Sequence, residues 1–115
     1  MPTTEEVLAR HEAALSEQNA ARVSTCYAQD AVAVVNGLVY RGPREIALMY
    51  TRLIEDLRDA TWRTGVAVVH DDLAYVEWSC EAAMAKVEFG NDTFIVANGL
   101  ITRQTACFSI VAKRQ

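Results

Sequence analysis

Between Thr4 and Leu15 the residues Val7, Leu8, His11, Ala14 and Leu15 recur three and four positions apart, on one third of a helical circumference. That spacing predicts an amphipathic first helix over about residues 4–18, with Thr4 as N-cap and Glu5 and Glu6 in the first turn. Asn19 caps a shorter second helix whose apolar residues are Val23, Cys26 and Tyr27. At "DAVAVVNGLVYRG" the period changes: two short apolar runs are joined by Asn36-Gly37, a dipeptide that accepts the positive φ of a two-residue hairpin turn. A longer third helix follows. Pro43 suits its first turn, where no amide hydrogen is needed, and Ile46, Met49, Tyr50, Leu53, Ile54 and Leu57 form its buried stripe.

From Thr61 onward the pattern is that of strands. "WRTGVAVVH" turns at Asp71-Asp72 into "LAYVEWSCEAAM", where Ala74, Val76, Trp78 and Cys80 alternate with Tyr75, Glu77, Ser79 and Glu81. A further turn is expected near Ala85-Lys86, although it holds no Gly or Pro. "FIVANGLITRQTACFSIV" reads as a hairpin about Asn98-Gly99. Helices in the N-terminal half and antiparallel strands after them argue an α+β fold, with helices packed on one face of a curved sheet.

Composition narrows the classes. A chain of 115 residues, 51% hydrophobic and 23% charged, suits one globular domain over 1–115. A net charge of -4 and scattered Lys and Arg supply no footprint for a phosphate backbone, so nucleic acid is not an expected partner. The first twenty residues carry Glu5, Glu6, Arg10, His11 and Glu12 rather than an apolar signal core, and no run approaches a membrane span. The expected location is the cytoplasm, with no membrane partner. Cys26, Cys80 and Cys107 lack metal-ligand spacing and read as reduced, mostly buried thiols.

One carboxylate breaks the apolar rows. In "FGNDTFIVANG" Asp92 shares a strand face with Phe94 and Val96, so it points toward the core unless Gly90-Asn91 form a turn and Asp92 caps it. On the first helix His11 lies within the apolar stripe, either as a hydrogen-bonded core residue or as a titrating group of a cavity. Tyr50 on the third helix is open to the same two readings.

The order α-α-β-β-α-β-β-β-β, with "YAQDAV", "YRGPREI", "DDLAYVEWS", "DTFIVANGLI" and "RQTACFSIV" in sequence, resembles the SnoaL-like branch of the nuclear-transport-factor-2-like superfamily, from about Glu5 to Val111. The resemblance implies a cone-shaped barrel: a curved, mostly antiparallel sheet wrapped around three helices. It also implies a cavity at the wide end and a homodimer through the convex sheet face. On that face strand parity places Tyr75, Glu77, Ser79, Glu81, Phe89, Ile95, Thr105, Cys107 and Val111. Ketosteroid isomerases of the superfamily use two pocket tyrosines, an aspartate base on the first strand and an acid on the penultimate strand. Here those places hold His11, Tyr50, Val35 and Asp92, so the family's isomerase reaction lacks its base. SnoaL-type polyketide cyclases place an acid-base aspartate on a later strand, which Asp92 resembles. Limonene-epoxide-hydrolase-type members need an Asp-Arg-Asp set, and no arginine stands on the inward rows.

The candidate catalytic residues are therefore Asp92, His11 and Tyr50. Trp78, Phe94, Phe108, Met49, Val35 and Val76 would form an apolar wall, with Gln104 as the fixed polar contact for a substrate carbonyl. A carboxylate walled by aromatic rings is desolvated, its pKa rises, and it can exchange a proton near neutrality; His11 would share acid and base duties and Tyr50 would donate to an enolate oxygen. The implied substrate is a small, hydrophobic carbonyl compound such as a polyketide or terpenoid-like molecule. No metal and no cofactor is called for. Three functions stand: a proton-transferring isomerase, cyclase or dehydratase, a non-catalytic receptor for a small apolar ligand, and a homodimerising association domain.

Overall fold

The computed structural model describes residues 1–113. Helix α1 (Thr4–Ser16) begins one residue differently from expectation: Thr3, not Thr4, is the N-cap, closing a reciprocal capping box with Glu6. The Thr4 hydroxyl instead donates to the Asp71 carbonyl, 67 residues away. Asn19 caps α2 (Ala20–Ser24) through its side chain. The short helix ends before Tyr27, which opens strand β1 (Tyr27–Val35) rather than extending the helical stripe. Strand β2 (Leu38–Arg41) returns through Asn36 and Gly37, both at positive φ, as the dipeptide requires. Helix α3 (Gly42–Asp56) carries Pro43 in its first turn and buries Ile46, Met49, Tyr50 and Leu53.

Four longer strands complete most of the chain: β3 (Thr61–His70), β4 (Leu73–Glu81), β5 (Ala85–Ala97) and β6 (Leu100–Phe108). The β4–β5 connection occupies 82–84, so Ala85 and Lys86 are strand and the turn lies earlier than expected. Gly90 and Asn91 sit inside β5, paired with Trp78 and Glu77 of β4, so no turn precedes Asp92. The last expected strand is broken at Ser109 and Ile110, and a seventh, β7 (Val111–Ala112), pairs with the start of β5.

The sheet order is β2-β1-β6-β5-β4-β3, all neighbours antiparallel except β1 and β6. The architecture is thus three helices on a curved, mostly antiparallel seven-stranded sheet. The curved sheet is unclosed, with β2 and β3 at opposite edges. The core lies between the helices and the concave sheet face, with Val7, Val23, Ile46, Leu57, Val87 and Ile101 as its most enclosed large residues. On the opposite face Phe89, 54% exposed, and Val111 face outward. No helix among the described residues is long and apolar enough to cross a membrane.

Strand parity puts Cys80 of β4 and Cys107 of β6 on opposite faces. Cys26 and Cys80 are buried, Cys107 is exposed, and all three are free. An aromatic disulfide reagent should therefore modify one thiol rapidly in the native protein and three after unfolding. A native count of three, or an unfolded count of one, would contradict this placement.

Candidate functional site

The concave face and the helices enclose a cavity of about 100 Å³. Its wall is built by parity. Val35 from β1, Val76 and Trp78 from β4, Asp92 and Phe94 from β5, and Gln104, Ala106 and Phe108 from β6 all line it. The helices contribute Leu8, His11 and Leu15 from α1, and Met49, Tyr50 and Leu53 from α3. All ten residues singled out in the sequence are thus brought to one cavity. Trp62, Arg63 and Thr64 of β3 also line it, and exposed Glu12 and Arg63 mark its rim. Arg63, paired with Ser79 and so off the inward row, reaches the rim, but Asp92 is the one aspartate among the lining residues, so an Asp-Arg-Asp set is not assembled.

Asp92 is half-buried, opposite Val76 on β4 and Ala106 on β6. Its Oδ1 accepts from the Trp78 indole at 3.1 Å and its Oδ2 from the Gln104 amide at 3.3 Å. Burial raises its pKa to about 6 against the opposing pull of these two donors. Room for the indole comes from Gly90: a Cβ there would lie 2.5 Å from Trp78 Cε2. Gly90→Ala is expected to displace the ring, break its bond to Asp92 and cost about 1–3 kcal/mol, as overpacking does. Denaturant unfolding checks this, with indole fluorescence reporting the displacement; an unchanged midpoint and spectrum would refute it.

Behind Asp92 lies a buried polar network. Because an amide N–H must face the carboxylate, Gln104 turns its Oε1 the other way, where it accepts from the Tyr27 hydroxyl at 2.5 Å. Its Nε2 also donates to the Tyr50 hydroxyl at 3.1 Å. The Tyr27 and Tyr50 hydroxyls are 3.1 Å apart, and His11 Nε2 lies 3.1 Å from each. Either imidazole tautomer fits. With Nε2 protonated, His11 donates and Tyr50 donates to Tyr27; with Nδ1 protonated, Tyr50 donates to Nε2. Among the described residues no fully enclosed side-chain polar atom lacks a partner.

Two expectations about His11 change. Burial pushes its pKa down to about 4, so the imidazole is neutral at pH 7 instead of titrating there. It also reaches Asp92 only through Tyr50, Tyr27 and Gln104, while its ring packs edge-on against Phe94 at 5.3 Å. Both tyrosines are raised above the ordinary phenol value, chiefly by burial, and remain hydrogen-bond donors.

Tyr27 is the network member that the sequence reading missed. Assigned to a helix, it appeared as packing; on β1 it shares inward parity with Ala31, Ala33 and Val35, which is the signal that could have placed it. Among the described residues no group of three or more His, Cys, Asp or Glu could hold a metal ion.

The SnoaL-like domain family matches residues 8–104, most of the chain. No curated protein sequence matches it. A candidate polyketide cyclase from Sinorhizobium meliloti superposes with a TM-score of 0.77 at 18% identity, covering 92% of this chain and 94% of that one. A Catenulispora acidiphila protein with a ketosteroid isomerase-like fold, in complex with trimethylamine, gives 0.75 at 19% identity, covering 90% and 85%. A de novo designed protein with a curved β-sheet gives 0.80 at 17% identity, covering 92% and 84%. Such distant likenesses establish the fold alone.

Proposed function

The chain belongs to the SnoaL-like domain family, and from that membership and its cavity we propose a cofactor-independent enzyme that moves a proton beside the carbonyl of a small hydrophobic substrate. One observation carries the reading: Asp92, held near a pKa of 6 by burial, lines an otherwise largely apolar cavity. A base poised close to working pH is ionised often enough to take a proton and basic enough to hold it. Trp78 and Gln104 fix its orientation. When Asp92 takes a proton from the carbon beside the carbonyl, negative charge moves to the carbonyl oxygen; with His11 Nε2 protonated and donating to Tyr27, the Tyr50 hydroxyl turns its proton from Tyr27 to that oxygen, as the neutral donor on the facing helix. His11 and Tyr27 act as positioning residues, holding Tyr50 and Gln104.

Volume narrows the substrate. An engineered protein cavity of about 150 Å³ accepts benzene, so about 100 Å³ suits a fragment-sized carbonyl compound rather than a fused-ring polyketide or a steroid. The test is exchange of α-hydrogens into deuterated water for ketones of about four to six heavy atoms, followed by NMR. Exchange above buffer in wild type, lost in Asp92→Asn, supports the reading. Exchange equal in wild type, variant and buffer would reject it. The receptor reading then gains, since the same cavity can hold a small apolar ligand without reacting with it.

A further inference from the structure

We propose that the cavity binds small organic cations of the alkylammonium class, seated between the Asp92 carboxylate and the aromatic arc of Trp62, Trp78 and Phe108. The proposal rests on the reading of Asp92 as a cavity acid but not on any proton transfer. Three independent features of the site point to it.

The first is an unmatched charge. Among the described residues no Lys, Arg or His side chain pairs with Asp92; the ion pairs of lysine and arginine are Arg22 with Glu17 and Lys113 with Glu81. Its two partners, an indole N–H and an amide N–H, are neutral. An ionised carboxylate in such a place gains from a counter-charge that arrives with a ligand.

The second is the aromatic surface that lines the same cavity. Trp62 and Trp78 have ring centroids 5.3 Å apart, Trp78 and Phe108 5.4 Å, in tilted pairs that form one continuous aromatic wall. Aromatic rings attract cations, and tryptophan most strongly. A neutral apolar ligand would use the same wall but would leave the carboxylate unanswered.

The third is size. A cavity of about 100 Å³ suits a compact group such as a methylated ammonium. On the rim Glu12 and Arg63 carry opposite charges, so entry meets no net repulsion.

Both tryptophans of the chain line the cavity, so indole fluorescence reports occupancy directly. Tetramethylammonium chloride and tert-butanol, a charged and a neutral probe of like size, are titrated into wild type and Asp92→Asn at neutral pH. The proposal expects saturable quenching by tetramethylammonium, at least about tenfold tighter than tert-butanol, and a loss of that preference in the variant. Equal affinities in wild type, or no saturation by tetramethylammonium up to about 100 mM, would overturn it. If the variant does not fold, the comparison in wild type decides alone. Cation binding without deuterium exchange into ketones sustains this inference and rejects the enzymatic one; exchange without cation binding does the reverse.

Discussion

Asp92→Asn is expected to lower any proton-transfer activity by about 10²-fold or more, the scale of losing a general acid or base, while making the protein more stable at neutral pH. The sign of the second effect follows from linkage. Asp92 releases its proton at about 6 in the folded chain and near 3.8 when unmodified by structure. The raised native value means that the unfolded chain ionises first, so wild type loses stability as pH rises from about 4 through 6. Converted at 1.36 kcal/mol per unit, the full loss is at most about 3 kcal/mol above pH 6. Asparagine escapes it, but its amide nitrogen must face one of the two donors that now serve the carboxylate, which offsets about 1 kcal/mol. Thermal midpoints of the two proteins should therefore nearly coincide near pH 4 and separate toward pH 7, the variant higher by several degrees. A wild type that gains on the variant over that range would contradict the burial of this acid.

Gln104→Leu should have the opposite effect on stability. Gln104 is 3% exposed and joins three groups: it accepts from Tyr27 and donates to Tyr50 and Asp92, while His11 closes the ring between the two phenols. Leucine fills a similar volume but returns none of these bonds. Tyr27 loses its acceptor and Asp92 keeps only Trp78, and leaving buried polar groups short of partners costs about 1–3 kcal/mol each. The expected loss is about 2–4 kcal/mol, read from denaturant midpoints at constant slope. Because the Gln104 bond lowers the Asp92 pKa, its removal should also move that pKa further above 6. Unchanged stability, or an Asp92 pKa that falls, would show that the network does not hold the acid.

Much of this arrangement is visible in the chain because local rules and the fold agree. Asn36-Gly37 and Asn98-Gly99 adopt the positive φ their chemistry allows, and the α3 stripe is buried where its period places it. Asp92 is legible for the same reason: on a strand, two-residue parity with Phe94 and Val96 fixes its side of the sheet.

What escaped the sequence depends on contacts between distant segments or on competing local signals. Thr3 and Thr4 compete as caps, and Glu6, three residues after Thr3, decides between them. The β4–β5 turn uses Ala82, Ala83 and Met84, residues with no turn chemistry of their own, so nothing in the pattern marks it. Arg63 reaches the cavity rim from β3, an edge strand, although its pairing with Ser79 puts it on the opposite row from Trp62 and Thr64, so parity alone does not record that reach. The neutrality of His11 arises from enclosure by α3, β1 and β5 side chains together, which no linear spacing records.

The central claim is that Asp92 is a cavity acid whose proton leaves near neutrality. Carbon-13 NMR of the side-chain carboxyl, assigned by its disappearance in Asp92→Asn and followed through a pH titration, measures this directly. The account predicts a midpoint at about 6; a midpoint at or below the ordinary aspartate value of about 4 would contradict it.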